Sequence, residues 1–205
     1  MRDEMLVADC MTRNVRTLGA DTSVAEALEV LSEARIHRLP VIDETGALLG
    51  IVSDMDLRLA EAAGRLADPV RAVMTKRVVT ISEFCPVEEA AAVMRERQVG
   101  GLPVMRGDRL IGIITDGDIF DALTQLLGGG QTGLRVTLTL PEGHLGLPEL
   151  LTEIASRGGR TVSVGTIARE QDCLVVLKVA GLSREQLIRA TADLGLEIAD
   201  LTAEE

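Results

Sequence analysis

Aromatic side chains are almost missing: Phe84 and Phe120 are the only ones among 205 residues. Modules that bind single-stranded nucleic acid stack bases on such rings, so that class starts at a disadvantage. The core must be aliphatic. Histidine is as scarce, with only His37 and His144, and the three cysteines, Cys10, Cys85 and Cys173, lie far apart without a CxxC. This argues against both a disulfide framework and a zinc site, and leaves buried free thiols as the expectation. No apolar run approaches the ~20 residues of a membrane-spanning helix, and the acidic start Met1-Arg2-Asp3-Glu4 does not read as a signal peptide. A cytoplasmic protein is expected. Basic residues are outnumbered, 21 against 32 acidic ones, giving a net charge of −11. The chain therefore carries no electrostatic footprint for duplex DNA or an anionic membrane.

What the sequence does have is a repeat. Cys10-Met11-Thr12 returns as Val73-Met74-Thr75, Thr17 as Thr80, Val24 as Val87, and Leu39-Pro40-Val41 as Leu102-Pro103-Val104, always at the same offset. One residue is lost in the next turn, after which Gly50-Ile51-Val52-Ser53-Asp54 matches Gly112-Ile113-Ile114-Thr115-Asp116 and Asp56 matches Asp118. In each copy a short extended stretch precedes an amphipathic helix. In the first, Ser23 and Glu26 form a capping box; in the second, Pro86 suits the first helical turn. Strands follow over 39–42 and 48–52, and over 102–105 and 110–114. A helix starting near Asp54 or Asp116 closes each unit. A unit of this size is marginal alone, so the two copies are expected to bury their sheets against each other.

The chain changes character at the glycine-rich stretch 128–133, which reads as a flexible linker. The expected organisation is repeat 1 over 1–67, repeat 2 over 68–127, and a further domain over 134–205. That last domain shows the order βαββαβ, which is ferredoxin-like, with Ser183 and Gln186 as another capping box. The fold class is α+β throughout.

Ser53-Asp54-Met55-Asp56 and Thr115-Asp116-Gly117-Asp118 each place a hydroxyl and, three residues on, a carboxylate at the start of a helix. A hydroxyl beside helix-terminal N–H groups suits a phosphate or ribose oxygen, and an ionised aspartate accepts hydrogen bonds from ribose hydroxyls. The same residues are equally good helix caps. Both readings stay open on spacing alone.

Together with the segment Ile36-His37-Arg38-Leu39-Pro40-Val41-Ile42-Asp43 and the paired Met-Thr openings, these motifs resemble a tandem cystathionine-β-synthase (CBS) domain pair, or Bateman module, over about residues 5–127. The resemblance implies a pseudo-twofold pair with two clefts for adenosine-containing ligands such as AMP, ADP, ATP or NAD. It places Ser53 and Asp56 in one cleft and Thr115 and Asp118 in the other, with Thr17, Thr80, Val52 and Ile114 at the base slots. His37-Arg38 is similar to the phosphate-contacting segment of the nucleotide-sensing γ subunit of AMP-activated kinase. Copy 2 has Gly100-Gly101 there instead, which implies unequal clefts. Arg13, Arg16, Lys76 and Arg77 are candidates for further positive charge.

The C-terminal domain resembles ACT domains, with Gly143 and Gly146 between its first strand and helix, although Pro148 and Pro141-Glu142-Gly143-His144 depart from that family's loop. His144 reads as an exposed loop residue. This resemblance implies self-association as a homodimer, with amino-acid binding as the alternative. A CBS pair followed by an ACT domain is similar to the accessory proteins of bacterial acetoin utilisation. No nucleophile stands beside a base and no P-loop occurs, so no catalysis, catalytic cofactor or metal site is expected. The expected function is a regulatory adenine-nucleotide sensor acting on an unidentified protein, with a dimeric interaction scaffold as the alternative.

Overall fold

The computed structural model describes residues 5–141 and 146–204. In the first of its two units, Met1–Ala122, a short helix α1 (Val7–Cys10) precedes two repeats built alike. Copy 1 runs β1 (Leu18–Gly19), α2 (Val24–Ala34), β2 (Arg38–Ile42), β3 (Leu48–Ser53) and α3 (Asp54–Ala62). Copy 2 runs β4 (Ile81–Ser82), α4 (Val87–Arg97), β5 (Gly101–Arg106), β6 (Arg109–Thr115) and α5 (Asp116–Leu126), the last turn of α5 falling past the unit's end at Ala122. Each forms a three-stranded sheet, β1-β2-β3 or β4-β5-β6, with its first pair parallel and its second antiparallel. Proline sits inside both central strands without loss. Pro40 pairs with Ile51 on one side, while β1 reaches only Val41 and Ile42 on the other, so no ladder bond asks for its missing N–H.

Ser23 caps α2 as expected: its backbone N–H donates to Glu26 at 2.9 Å and its hydroxyl accepts from the Glu26 N–H at 3.2 Å. Val24, Ala27 and Leu31 form the buried face. Pro86 is a correction. It is the N-cap of α4, one position before the helix, because its backbone bridges Leu6 in an extended conformation.

The two repeats complete each other's cores. Val70 is buried in the core of copy 1, with Val73 and Met74 packed on it, whereas Val7 and Met11 are buried in the core of copy 2. Thr12 bridges Ile113 of β6, and Thr75 bridges Ile51 of β3. The repeated Met-Thr opening is thus a reciprocal clasp. Each methionine lies over a glycine of the opposite copy: a Cβ on Gly50 would meet Met74 Sδ at 2.6 Å, and one on Gly112 would meet Met11 Sδ at 2.5 Å.

The clasp of α1 is anchored by Glu83, a buried carboxylate held by Arg106 at 2.5 and 2.7 Å. The Glu83 backbone carbonyl accepts the Ala8 N–H at 3.0 Å. Hydrogen bonding to Arg106 holds the Glu83 carboxyl below its ordinary value of 4.5. A lowered folded-state pKa contributes stability above the unfolded-state value, and that contribution disappears as pH falls through the folded-state value. Urea denaturation should therefore show Glu83→Gln less stable than wild type at pH 7, with the gap narrowing as pH falls below the ordinary glutamate value and through the lowered folded-state one.

The three cysteines are free but half-buried, not fully buried as expected. Each lies at the margin of a core: Cys10 and Cys85 against that of copy 2, Cys173 against that of the second unit.

The second unit, Leu123–Glu205, contains β7 (Gly133–Pro141), α6 (Gly146–Ser156), β8 (Arg160–Ala168), β9 (Asp172–Ala180), α7 (Arg184–Ala192) and β10 (Ile198–Glu204). The antiparallel sheet has the order β10-β7-β9-β8. Val136, Leu138, Val175, Leu177 and Val179 form a core with Leu150 and Ile154 of α6 and Leu187 of α7. Ser183 caps α7 with Gln186, as its sequence predicts. Within the stretch expected to be a flexible linker, Gly128 is tied down: its carbonyl accepts from Lys178 Nζ at 2.9 Å, and the adjacent Leu127 carbonyl accepts from Ser163 at 3.0 Å. Gly133 already belongs to β7. Glu142, Gly143 and His144 lie outside the described residues; Gly146 opens α6 and is buried.

Candidate functional site

Because Thr75 bridges Ile51 and Thr12 bridges Ile113, the end of each β-strand pair meets the leader segment of the other copy, and two clefts result. Cleft A, about 520 Å³, includes Ser53, Asp54 and Asp56 of copy 1, with Thr75, Arg77 and Val79 from the leader of copy 2 and Gly100-Gly101 from the start of β5. Cleft B, about 750 Å³, repeats this arrangement with Thr115, Asp116 and Asp118, then Thr12, Asn14 and Arg16, then Arg35 and Ile36. Ser53 and Asp56 are thus separated from Thr115 and Asp118, one pair to each cleft.

In both clefts the hydroxyl and the carboxylate hold each other. Asp56 Oδ2 accepts the Ser53 hydroxyl at 2.6 Å and the Ser53 backbone N–H at 2.9 Å, while the Asp56 N–H donates to Ser53 Oγ at 3.2 Å. Asp118 Oδ2 does the same with Thr115, at 2.7 and 2.8 Å, and the Asp118 N–H donates to Thr115 Oγ1 at 3.4 Å. The helix-cap reading is therefore realised in both copies. All the carboxylate contacts use one oxygen, Oδ2, so the acid is oriented as well as the helix started.

His37 and Arg38 line both clefts. Arg38 is half-buried and lies across the other copy's glycine pair: a Cβ on Gly101 would come 2.5 Å from Arg38 Nη1, and one on Gly100 would come 2.6 Å from Nη2. This explains why copy 2 departs from copy 1. The two equivalent segments face each other, and one long side chain there requires glycine opposite. Burial lowers the Arg38 pKa and the nearby Asp116 opposes that shift, but among the described residues Arg38 forms no ion pair. A guanidinium stays charged under such a shift, so a cation is held between two cavities with its fork unused by any carboxylate.

The base-slot expectation needs correction. Val52 and Ile114 are fully buried in the two cores; their neighbours Ile51 and Ile113 line clefts A and B. Successive strand residues point to opposite faces. Thr17 lines a different cavity, at the turn end of the pair, together with Arg13, and Thr80 is exposed outside both clefts. Of the other basic candidates, Arg16 joins cleft B and Arg77 cleft A, whereas Lys76 joins neither.

Sequence reasoning also missed Arg35 and Gln98. They occupy equivalent positions at the C-caps of α2 and α4, both with φ of 53°, and they line clefts B and A respectively. Left-handed backbone at two non-glycine residues beside a cavity is costly and fixes the turn that delivers His37-Arg38 and Gly100-Gly101. The signal was faint, since neither residue type marks such a turn. Chemically, each cleft offers an oriented carboxylate, an aliphatic wall and guanidinium groups. Among the described residues no helix is long and apolar enough to cross a membrane.

The comparisons agree with this geometry. The family profile described as CBS domain matches residues 7–63 and 70–125. A CBS domain-containing protein of Dictyostelium discoideum is 40% identical over 137 residues, which span 60% of this chain and 94% of that protein. A Vibrio cholerae protein named for acetoin utilization (AcuB) superposes with a TM-score of 0.57 at 32% identity, covering 61% of this chain and 94% of its own. CBSX2 in complex with AMP gives 0.55 at 32% identity, covering 58% and 96%. The CBS domain pair of MJ0100, in complex with 5′-methylthioadenosine and S-adenosyl-L-methionine, gives 0.55 at 31% identity, covering 62% and 98%. With both repeats matched and both clefts in place, this chain belongs to the CBS-domain family.

Proposed function

We propose that the chain is a non-enzymatic regulatory sensor that binds an adenosine-containing nucleotide, such as AMP, ADP, ATP or NAD, in the clefts of its CBS pair. The observation that carries this reading is Arg38, a half-buried cation that forms no ion pair among the described residues and lines both clefts with their oriented carboxylates. The ribose hydroxyls bond to Asp56 or Asp118 in place of the cap hydroxyl, the base lies against Ile51 or Ile113, and the phosphate reaches Arg38 and His37. Two solved CBS pairs of similar sequence hold AMP or S-adenosyl-L-methionine with 5′-methylthioadenosine. The second unit, with its βαββαβ order, reads as a ferredoxin-like, ACT-like module that pairs two chains in a homodimer and passes the change to a regulated protein. A ligand shifts such an equilibrium only by its differential affinity for the two shapes.

One observation favours a second reading, a dimeric scaffold with disused clefts: both capping boxes are already satisfied within the chain. Thermal denaturation with and without AMP, ADP, ATP or NAD separates the two. Binding stabilises by RT ln(1 + [L]/Kd), about 2.7 kcal/mol at a hundredfold excess over Kd. Wild type should show this gain, and the double variant Asp56→Ala, Asp118→Ala should lose it. Losing the carboxylate half of each capping box lowers the starting stability, but the ligand-induced increment is the quantity that decides. A wild type that none of AMP, ADP, ATP and NAD stabilises would favour the scaffold.

A further inference from the structure

A third cavity lies at the opposite end of the CBS pair from Ser53 and Thr115, where the β2–β3 and β5–β6 turns meet through a bridge between Ala47 and Arg109. Its volume is about 660 Å³, larger than cleft A. We propose that it is a separate binding site for a small phosphate-bearing anion. In a chain of net charge −11, three arginines line this one cavity: Arg13 from the leader of copy 1, with Arg106 and Arg109 from the turn of copy 2.

Two of the three are already positioned. Arg106 is held by both oxygens of the buried Glu83, and Arg13 donates to the Ala8 carbonyl at 2.5 Å. Arg109 forms no ion pair among the described residues, and its backbone is fixed by the bridge to Ala47. The opposing carboxylates are Asp108 on the wall, Glu83 behind Arg106, and Asp43 of the β2–β3 turn, whose Oδ1 is held by the backbone N–H groups of Thr45 and Ala47. Planar guanidinium forks match phosphate oxygens bidentately. Val15 and Leu110 supply an apolar wall, so the site suits a phosphate ester with a small carbon body as well as a bare oligophosphate. The residues are distinct from the carboxylates and Arg38 of the adenylate clefts.

Calorimetric titration at low ionic strength with inorganic pyrophosphate, and separately with ribose 5-phosphate, tests the site and distinguishes the free oligophosphate from the ester. Saturable binding of either to wild type and to Arg38→Ala alike, with affinity at least tenfold weaker in Arg109→Glu, is the expected result. Arg13→Gln, on a different segment, should weaken binding in the same direction and guards against a folding defect in the first variant. AMP affinity in Arg109→Glu should stay within twofold of wild type, so failure of this site and failure of the adenylate reading are told apart. The proposal is overturned if neither probe binds wild type, or if Arg38→Ala loses the anion while Arg109→Glu keeps it.

Discussion

Arg38→Ala is expected to weaken AMP binding by about ten- to a hundredfold while leaving the folded protein at least as stable. The first half follows from the geometry of the clefts: hydrogen bonds to a charged partner contribute roughly 1.5–3 kcal/mol, and each 1.4 kcal/mol is about tenfold in affinity. Adenosine, which lacks the phosphate, should lose much less. The second half follows from the absence of an ion pair among the described residues, Asp116 offsetting the cost of burial only through space. A cation that gives up hydration without gaining a carboxylate costs the folded state free energy, so its removal relieves that cost. Gly100 and Gly101 accommodate the guanidinium, and a structure that reserves space for an unpaired charge at no gain in stability points to binding. Calorimetry with AMP and adenosine, combined with urea denaturation of the free protein, checks both halves.

The largest effect on stability should come from Gly112→Val. Even the first carbon of that side chain would collide with Met11 Sδ and stand 3.1 Å from the Thr12 carbonyl. Thr12 exchanges two backbone hydrogen bonds with Ile113, at 2.9 and 3.0 Å, so the leader of copy 1 must lift off β6. Overpacking alone costs about 1–3 kcal/mol. Unseating Met11 and Val7, both buried in the core of copy 2, brings the total to roughly 3 kcal/mol or more. Gly50→Val should behave alike, through Met74 and the Thr75 carbonyl. Gly19→Ala, whose added carbon would meet only Thr22 Oγ1 at 3.8 Å, serves as the near-neutral control. Denaturant midpoints for the three variants would show whether the clasp holds the repeats together, and equal midpoints for all three would refute it.

Local signals made much of this legible in the sequence. The capping boxes at Ser23 and Ser183 name their helices, and the constant offset between Leu39-Pro40-Val41 and Leu102-Pro103-Val104 shows that whatever one copy forms, the other forms too. The clasp was not legible, because nothing near Met11 says that it packs on Gly112, a hundred residues away in the other copy. Only the pairing of two Met-Thr openings with two strand glycines carried the information. The base-slot positions failed for a different reason. Val52 and Ile114 come from the family resemblance, and in Gly50-Ile51-Val52 and Gly112-Ile113-Ile114 adjacent residues are equally apolar, so alternation gives no phase by which the sequence itself could tell the core-facing residue from the cleft-facing one. Gly100-Gly101 read as a departure from the pattern until the structure placed Arg38 over it.

Most direct of all is calorimetric titration of ligand-stripped wild-type protein with AMP, ADP, ATP, NAD and S-adenosylmethionine in turn. The account predicts saturable heat with at least one adenosine compound, competed by AMP and abolished when Asp56 and Asp118 are both alanine. Folded protein that gives no heat with any of the five would mean that the two aspartates serve only to begin their helices, and the sensor reading would fall.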